Sequence, residues 1–576
     1  MLFDDILKQL GEFGPYQRRI YLLASLYCIP WAFHNIASVF LAAGTDHWCS
    51  IPTPVSDAFN CTGFGLDFEE CELAQKNLTI PHKLVKGALV YEQCKRYNIS
   101  GFTEDDTTKL KTNVTQECDT WEYDRSQYKT TVVQDFDLVC ENKNLPKYAD
   151  SAYFAGFLLG AFLFGNLADW IGRYLAFFIA IGGVTISGTV AAFSPNFAAY
   201  AIMRFFIGLT NMAGLCAFIL GSEIVGPSKR SMAGNLIMLF FSAGYMLLAI
   251  IAYFIRDWRQ LQLVMSVPLV LFFLLIPVLC ESPRWLISRG KFAKAEQIIR
   301  KAAKVNKAQL PEVLFEENEK LMEKEDKAMA TPWDLFKTPN MRAKTLNLFY
   351  NWFVNNMVYY GLSLSTSGLG VNDYVAAFVS GAVECPALLS CWFILDRFGR
   401  RIPLCIYMVG GGMACILAAL LPPGVGRTVV AMIGKFGITA SFSVIYIYSG
   451  ELFPTPVRSI GIGMSSMCAR VSGIIAPFIL ILGDYWSPLP FIIFGVNSVV
   501  AGILALLLPE TLGTNLPQTL DEGEAFTRSS SNTPGLWTLC KFKGKDTEYQ
   551  QAPAIEDGKE LDECPDDINE NSAAPV

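Results

Sequence analysis

Apolar residues along this chain gather into long runs separated by short polar joints. We read twelve of them, at about 20–42, 148–167, 174–194, 198–220, 232–254, 261–280, 346–366, 374–395, 403–421, 427–449, 460–482 and 488–508. A helix of about 20 apolar residues crosses a hydrocarbon core of roughly 30 Å. Only helices and closed barrels satisfy the backbone in lipid, and runs of this length mean helices. The pattern predicts an all-α membrane protein with twelve transmembrane helices. Residues 1–19 are polar and amphipathic, so the first run is expected to insert as an uncleaved anchor in residues 20–42.

The polar segments differ in kind. Residues 43–147 form a large insert that carries acceptor triplets for N-glycosylation at Asn60, Asn77, Asn98 and Asn113. Triplets of this type confined to one segment place it outside the cell. The same insert holds Cys49, Cys61, Cys71, Cys94, Cys118 and Cys140. An even set in an oxidising compartment suggests three disulfides, with 15 pairings open. An external first loop puts both termini in the cytosol. Short loops assigned to the cytosol carry Arg173, Lys229, Arg230, Arg397, Arg400, Arg401 and Arg458, against Arg256, Arg259 and Arg427 outside, in line with the positive-inside rule. Residues 281–345 then form a cytosolic loop. Within it, Lys291 to Asn306 is basic with an apolar stripe of Phe292, Ala295, Ile298, Ile299 and Ala302, and is expected to lie at the membrane surface. Residues 509–576 read as a disordered cytosolic tail.

Composition narrows the function. Hydrophobic residues are 52% and charged residues 17% of the chain, and the net charge of −7 gives no basic surface for nucleic acid. With only three histidines, no metal-ligand spacing and no nucleophile motif, the chain does not read as an enzyme, and no metal or other cofactor is expected. The loop Gly221–Ser228 has Pro227 where a phosphate-binding loop needs Lys, so no nucleotide site is assigned.

Three charged motifs occur twice. Asp169 and Arg173 are matched by Asp396 and Arg400, Glu223 and Arg230 by Glu451 and Arg458, and Glu281 by Glu510. The near-constant offset points to a duplicated six-helix unit. Charges at helix ends belong at the interface, where bridges can break and reform between two packings. The eight residues of the first two motifs are therefore gate candidates. Two six-helix halves joined by a long loop resemble the major facilitator fold.

Further residues narrow the resemblance. Phe254–Arg259 (FIRDWR), Glu281–Leu286 (ESPRWL), Ile299–Lys304 (IRKAAK) and Gly450–Thr455 (GELFPT) are similar to those of solute carrier family 22, over about residues 10–520. That family carries organic cations, carnitine and organic anions, and the organic cation/carnitine branch is the nearest likeness. It implies a plasma-membrane secondary transporter working by alternating access.

Ionisable groups deep in a span are functional candidates. Glu384 in the eighth run and Arg470 in the eleventh each lie ten residues in, about 15 Å deep, and Lys435 lies about 12 Å from the outer face. In the resembled family an acid at the position of Glu384 together with Arg at that of Arg470 marks the carnitine type. Guanidinium holds a carboxylate through two parallel hydrogen bonds, and a carboxylate with aromatic rings holds a quaternary ammonium. Trp352, Tyr359, Tyr446 and Tyr448 match aromatics of the cation and carnitine carriers. The expected partners are thus a small organic cation or zwitterion and the lipid bilayer. Sodium is the candidate coupling ion for symport, but Trp31 stands where the sodium-dependent carnitine carrier has Asn. An organic-anion exchanger, and a non-transporting receptor built on the external loop, remain the competing readings.

Overall fold

The computed structural model describes residues 3–51, 68–85, 88–98, 114–312, 314–315, 331–514 and 516–526. Each apolar run lies on a helical segment: α1 (Pro15–Leu41), α2 (Leu145–Ile171), α3 (Arg173–Ala192), α4 (Phe197–Ile224), α5 (Arg230–Phe254), α6 (Trp258–Leu275), α7 (Pro339–Leu364), α8 (Asp373–Phe398), α9 (Arg401–Leu420), α10 (Val425–Leu452), α11 (Arg458–Ile481) and α12 (Leu489–Ala505). By length and apolarity alone, ten helices among the described residues qualify as spans. The segments outside that set are α12, which is short, and α7, which is polar. The polarity of α7 has a cause: Asn351 and Asn355 each donate to the carbonyl four residues back, at 3.1 and 2.9 Å. Asn356 donates to the Ala469 carbonyl of α11 at 2.6 Å. An amide N–H that finds an acceptor inside a bundle costs little.

One buried apolar core is built mostly from α1–α6 and a second from α7–α12. The halves meet where α2 packs on α11 and α5 on α8. Sparse hydrogen bonds cross this seam: Ser151 Oγ to the Ile474 carbonyl (3.0 Å), Ser443 Oγ to Asn235 Oδ1 (2.8 Å) and Tyr360 Oη to Asn35 Oδ1 (3.2 Å).

The duplicated motifs turn the chain in the same way twice. Gly172 between α2 and α3 has φ 110°, and Gly399 between α8 and α9 has φ 82°. Only glycine enters this region without strain. A Cβ at Gly172 would also strike the Glu281 carboxylate, and one at Gly399 that of Glu510.

Among its described residues, the insert between α1 and α2 contains three two-stranded antiparallel sheets and the helix Phe68–Thr79. Cys49 is bonded to Cys118 and Cys94 to Cys140, and Cys71 is disulfide-bonded as well. His47 lies beside Cys94 and Cys140, but those two sulfurs are already joined to each other. Asn77 is on the helix, its Oδ1 accepting from Tyr91 Oη at 2.7 Å, and Asn98 follows the strand Lys95–Tyr97. Asn60 and Asn113 lie outside the described residues, as do 527–576 of the tail and most of the acidic part of the 281–345 loop.

Beneath the first half, the helix Phe292–Asn306 buries Ala295, Ile299 and Ala302. Together with Phe3, Leu7 and Leu10 of the N-terminal segment, Ile299 and Ala302 line one apolar cleft, so the stripe meets protein there. Asn306 fastens it, donating to the Leu10 carbonyl (2.9 Å) and to Gln17 Oε1 (2.7 Å). The start of the tail differs from the disorder expected of it. Leu520–Ala525 is a helix, and Glu524 accepts the Asn340 and Met341 backbone N–H groups (2.9 and 2.8 Å) and the Thr338 hydroxyl (2.6 Å). Those N–H groups are orphan donors at the start of α7, and a distant carboxylate caps them.

Candidate transport site and helix-end charge clusters

Glu384 and Lys435 come together from α8 and α10. Lys435 Nζ is 3.2 Å from Glu384 Oε1, and the residues are 1% and 2% exposed. Glu384 Oε1 also accepts from Tyr359 Oη at 2.7 Å, and Oε2 accepts from Ser242 Oγ at 3.0 Å. Lys435 further donates to Ser363 Oγ and lies 3.4 Å from the centre of the Tyr359 ring. The sequence put Glu384 forward as a substrate-binding candidate without naming its neighbours; in the structure its charge is paired with Lys435, as a charge buried so deeply demands a partner.

Arg470 is different. It is half-buried on α11, and its Nη1 donates back to Ser466 on the same helix, to Oγ at 2.5 Å and to the carbonyl at 3.2 Å. Its guanidinium carbon sits 5.1 Å from the centre of the Phe157 ring on α2, across the seam. Its Nε has no acceptor, and among the described residues no carboxylate pairs with it. Glu384 and Arg470 therefore do not clasp each other, and the guanidinium keeps unused donors.

Aromatic rings line the second half. Tyr446 is 4.3 Å from Trp352 and 5.5 Å from Phe442, Phe442 is 6.1 Å from Tyr359, and Tyr359 is 5.2 Å from Tyr360. Tyr446 is 37% exposed, and Arg470 lies within its electrostatic reach. Trp352 is fully buried behind it, its indole N–H donating to Ser449 Oγ at 2.8 Å. Tyr448 is turned away from this group: it is fully buried and donates to the Pro509 carbonyl. Residues two apart on a helix are about 200° apart around its axis. Tyr446 and Tyr448 therefore cannot share a face.

The charged motifs pair both within and between motifs, inside each half. Arg173 Nη2 meets Asp169 at 3.0 Å and its Nε meets Glu223 at 3.4 Å; Arg400 meets Glu451 at 3.0 Å. Glu281 Oε1 accepts the backbone N–H of Arg173 at 3.0 Å, as Glu510 Oε1 accepts that of Arg400 at 2.8 Å. Burial pushes the Glu281 carboxyl above its usual range, against the pull of the Ser282, Tyr174 and Arg173 N–H groups. Arg230 pairs with Asp4 of the N-terminal segment at 3.2 Å, not with Glu223. Arg458 donates to the Phe453 carbonyl at 3.2 Å and to Thr455 Oγ1 at 3.3 Å. Asp396 is exposed and joins no ion pair among the described residues. Ser242, Ser363, Phe157, Phe442, Ser466 and Asp4 are site and cluster members that sequence reasoning missed. Ser242, one of the few polar residues along α5, carried a readable signal.

Two halves with separate cores, a buried charged site facing their seam and duplicated charge clusters at the helix ends define a membrane transporter of the twelve-helix type. Residues 120–520 match the family described as "Sugar (and other) transporter". The chain is similar to the Organic cation transporter protein of Drosophila melanogaster, 41% identical over 91% of this chain and 95% of that one. It is also similar to human Organic cation/carnitine transporter 2, at 37% over 90% and 93%. In fold it resembles the inward-open xylose transporter XylE of E. coli, with TM-score 0.58 and 15% identity over 89% of this chain and 100% of that one. The chain belongs to the major facilitator superfamily and, within it, to solute carrier family 22. It is a multi-pass membrane transporter, and its family is not one of enzymes.

Proposed function

We propose that the protein is a plasma-membrane carrier that moves small organic zwitterions of the carnitine type by alternating access, with cations as weaker substrates. The observation that carries this reading is Arg470: a guanidinium inside the bundle, stacked on Phe157 and held by Ser466, with donors left over for a solute carboxylate. The aromatic faces of Tyr446, Phe442, Tyr359 and Tyr360 suit the alkylammonium end. The names of the relatives, organic cation and organic cation/carnitine transporters, support the same class. In this reading both termini are cytosolic and the first loop is external, glycosylated at Asn60, Asn77, Asn98 and Asn113. Sodium is the candidate coupling ion, and we read Trp31, which stands where the sodium-dependent carnitine carrier has Asn and lies edge-on to Phe241 at 5.2 Å, as weighing against it.

A second reading, organic-anion exchange, is favoured by one observation. Lys435 already neutralises Glu384, leaving Arg470 as the unpaired charge. Uptake of labelled carnitine, tetraethylammonium and p-aminohippurate by surface-expressed protein, in sodium and in lithium media, separates the readings. Carnitine uptake equal in both media is the expected result. Uptake of p-aminohippurate alone establishes the exchanger.

A further inference from the structure

Lys435 occupies, from within the chain, the kind of place a substrate ammonium would take. Its Nζ is 3.2 Å from the Glu384 carboxylate, 3.4 Å from the centre of the Tyr359 ring and 5.7 Å from that of Tyr245, with Ser363 Oγ as a further partner. A carboxylate backed by aromatic faces is the chemistry that holds alkylammonium ions. The nest is assembled across the seam. Ser242 and Tyr245 come from α5 in the first half, and Tyr359, Ser363, Glu384 and Lys435 from α7, α8 and α10 in the second.

We propose that Lys435 is a resident cation that sets the charge selectivity of the carrier. This rests on the transport reading above and goes beyond it. A permanent cation can take Glu384 only by stripping Lys435 of its carboxylate. The interior would then hold Lys435 and Arg470 both without a negative partner, and an unpaired buried charge is costly. A zwitterion avoids this: its ammonium enters the Glu384 nest while its carboxylate meets a freed basic group. Lys435 thus acts against simple cations, a repulsive element of the kind specificity requires. A merely structural clamp between α8 and α10 would change stability on removal and leave the ranking of substrates alone.

The test uses full-length wild type, Lys435→Met, Lys435→Arg and the double variant Glu384→Gln/Lys435→Met, with uptake normalised to surface protein. In Lys435→Met the ratio of tetraethylammonium to carnitine uptake rises about tenfold or more. Lys435→Arg keeps the wild-type ratio, and the double variant loses the gain because no carboxylate remains. On purified protein, tetraethylammonium raises the unfolding temperature of Lys435→Met more than that of wild type, a readout that does not need surface delivery. An unchanged ratio in Lys435→Met, an equal gain in the double variant, or equal thermal shifts in Lys435→Met and wild type overturns the proposal. Failure of wild type to move any of the solutes overturns the carrier reading instead, and the thermal comparison still decides the role of Lys435.

Discussion

Arg400, just after α8, meets Glu451 at the end of α10 at 3.0 Å, and its duplicate Arg173 meets Glu223 at 3.4 Å. All four side chains are 15–18% exposed, so the pairs are only partly screened by water. Each arginine is also fixed from behind, since its own backbone N–H is held by Glu510 or Glu281. The position of the guanidinium is therefore set before the ion pair forms. Reversing one sign, as in Arg400→Glu or Glu451→Arg, places like charges together and should lower uptake about tenfold. The double reversal should recover a measurable part. Surface-normalised uptake across this cycle checks the coupling; full additivity would mean that the pair is inert.

Tyr446 and Tyr448 should separate cleanly by measurement. Tyr446 faces the interior at 37% exposure, whereas Tyr448 is fully buried with its hydroxyl on the Pro509 carbonyl. Tyr446→Ala should raise the carnitine KM severalfold. Tyr448→Phe leaves a buried carbonyl without its donor, a loss of about 1–3 kcal/mol, and should lower thermal stability with KM unchanged.

At Arg470 the geometry of the donors matters more than the charge. Lysine is a point charge and cannot present two parallel N–H groups to a carboxylate. Arg470→Lys should raise the carnitine KM about tenfold, equivalent to 1.4 kcal/mol, while retaining the positive charge. Ser466→Ala removes the hydroxyl that accepts at 2.5 Å and should give a smaller rise. Kinetics on the two variants check the order of the effects.

Much of this was legible in the chain. The apolar runs in the chain gave twelve helical segments, including α7, whose asparagines lower its hydropathy but donate within the bundle. The duplication appeared because identical turns require identical residues, as Gly172 and Gly399 show. Depth along a helix brought Glu384, Lys435 and Arg470 forward, but depth says nothing of azimuth. Pairing was therefore not legible: Glu384 takes Lys435 rather than a solute, Arg230 takes Asp4 from more than two hundred residues away, and Tyr448 points opposite to Tyr446. These are tertiary facts, fixed by helix rotation and by which half supplies the neighbour. The capping of α7 by Glu524 was hidden for a related reason, since a polar segment docks through a few hydrogen bonds and leaves no apolar signature.

That cap carries a pH dependence. Burial opposes ionisation of Glu524, but the Thr338 hydroxyl, the Asn340 and Met341 N–H groups and the Lys344 charge outweigh it and hold the carboxyl below its usual range. A depressed folded-state value means that the ionised cap stabilises the docked tail above the unfolded carboxylate range, and that this is lost as pH falls. Hydrogen exchange of residues 516–526 and 339–345 should therefore be slow at neutral pH and accelerate from about pH 5 downward. Glu524→Gln should exchange quickly throughout and show no such step.

The face opposite the duplicated charge clusters carries the large insert, which we propose to be external. The insert is anchored to the first half where the Lys129 backbone N–H bonds the Arg256 carbonyl at 3.0 Å and Thr130 Oγ1 bonds Asp257 at 2.8 Å. The residues just before that anchor reach the second half: Tyr128 Oη donates to Asp373 at 2.8 Å, and Tyr374 Oη donates to the Gln127 carbonyl at 3.0 Å. Tyr374 in turn stacks on Phe40 of α1, 5.6 Å away and nearly parallel. Tyr128, Asp373 and Tyr374 are all buried, so these bonds form in a low-dielectric setting where losing one partner is expensive. Alternating access requires this strap to release whenever the halves part on the outside. Tyr128→Phe removes the hydroxyl and keeps the ring, which should free the strap without unpacking it. Hydrogen exchange of residues 127–131 should then rise about tenfold at unchanged global stability. The maximal uptake rate should shift while stacking on Tyr374 persists. Unchanged exchange in Tyr128→Phe would show that ring packing, and not the bond to Asp373, holds the outer face closed.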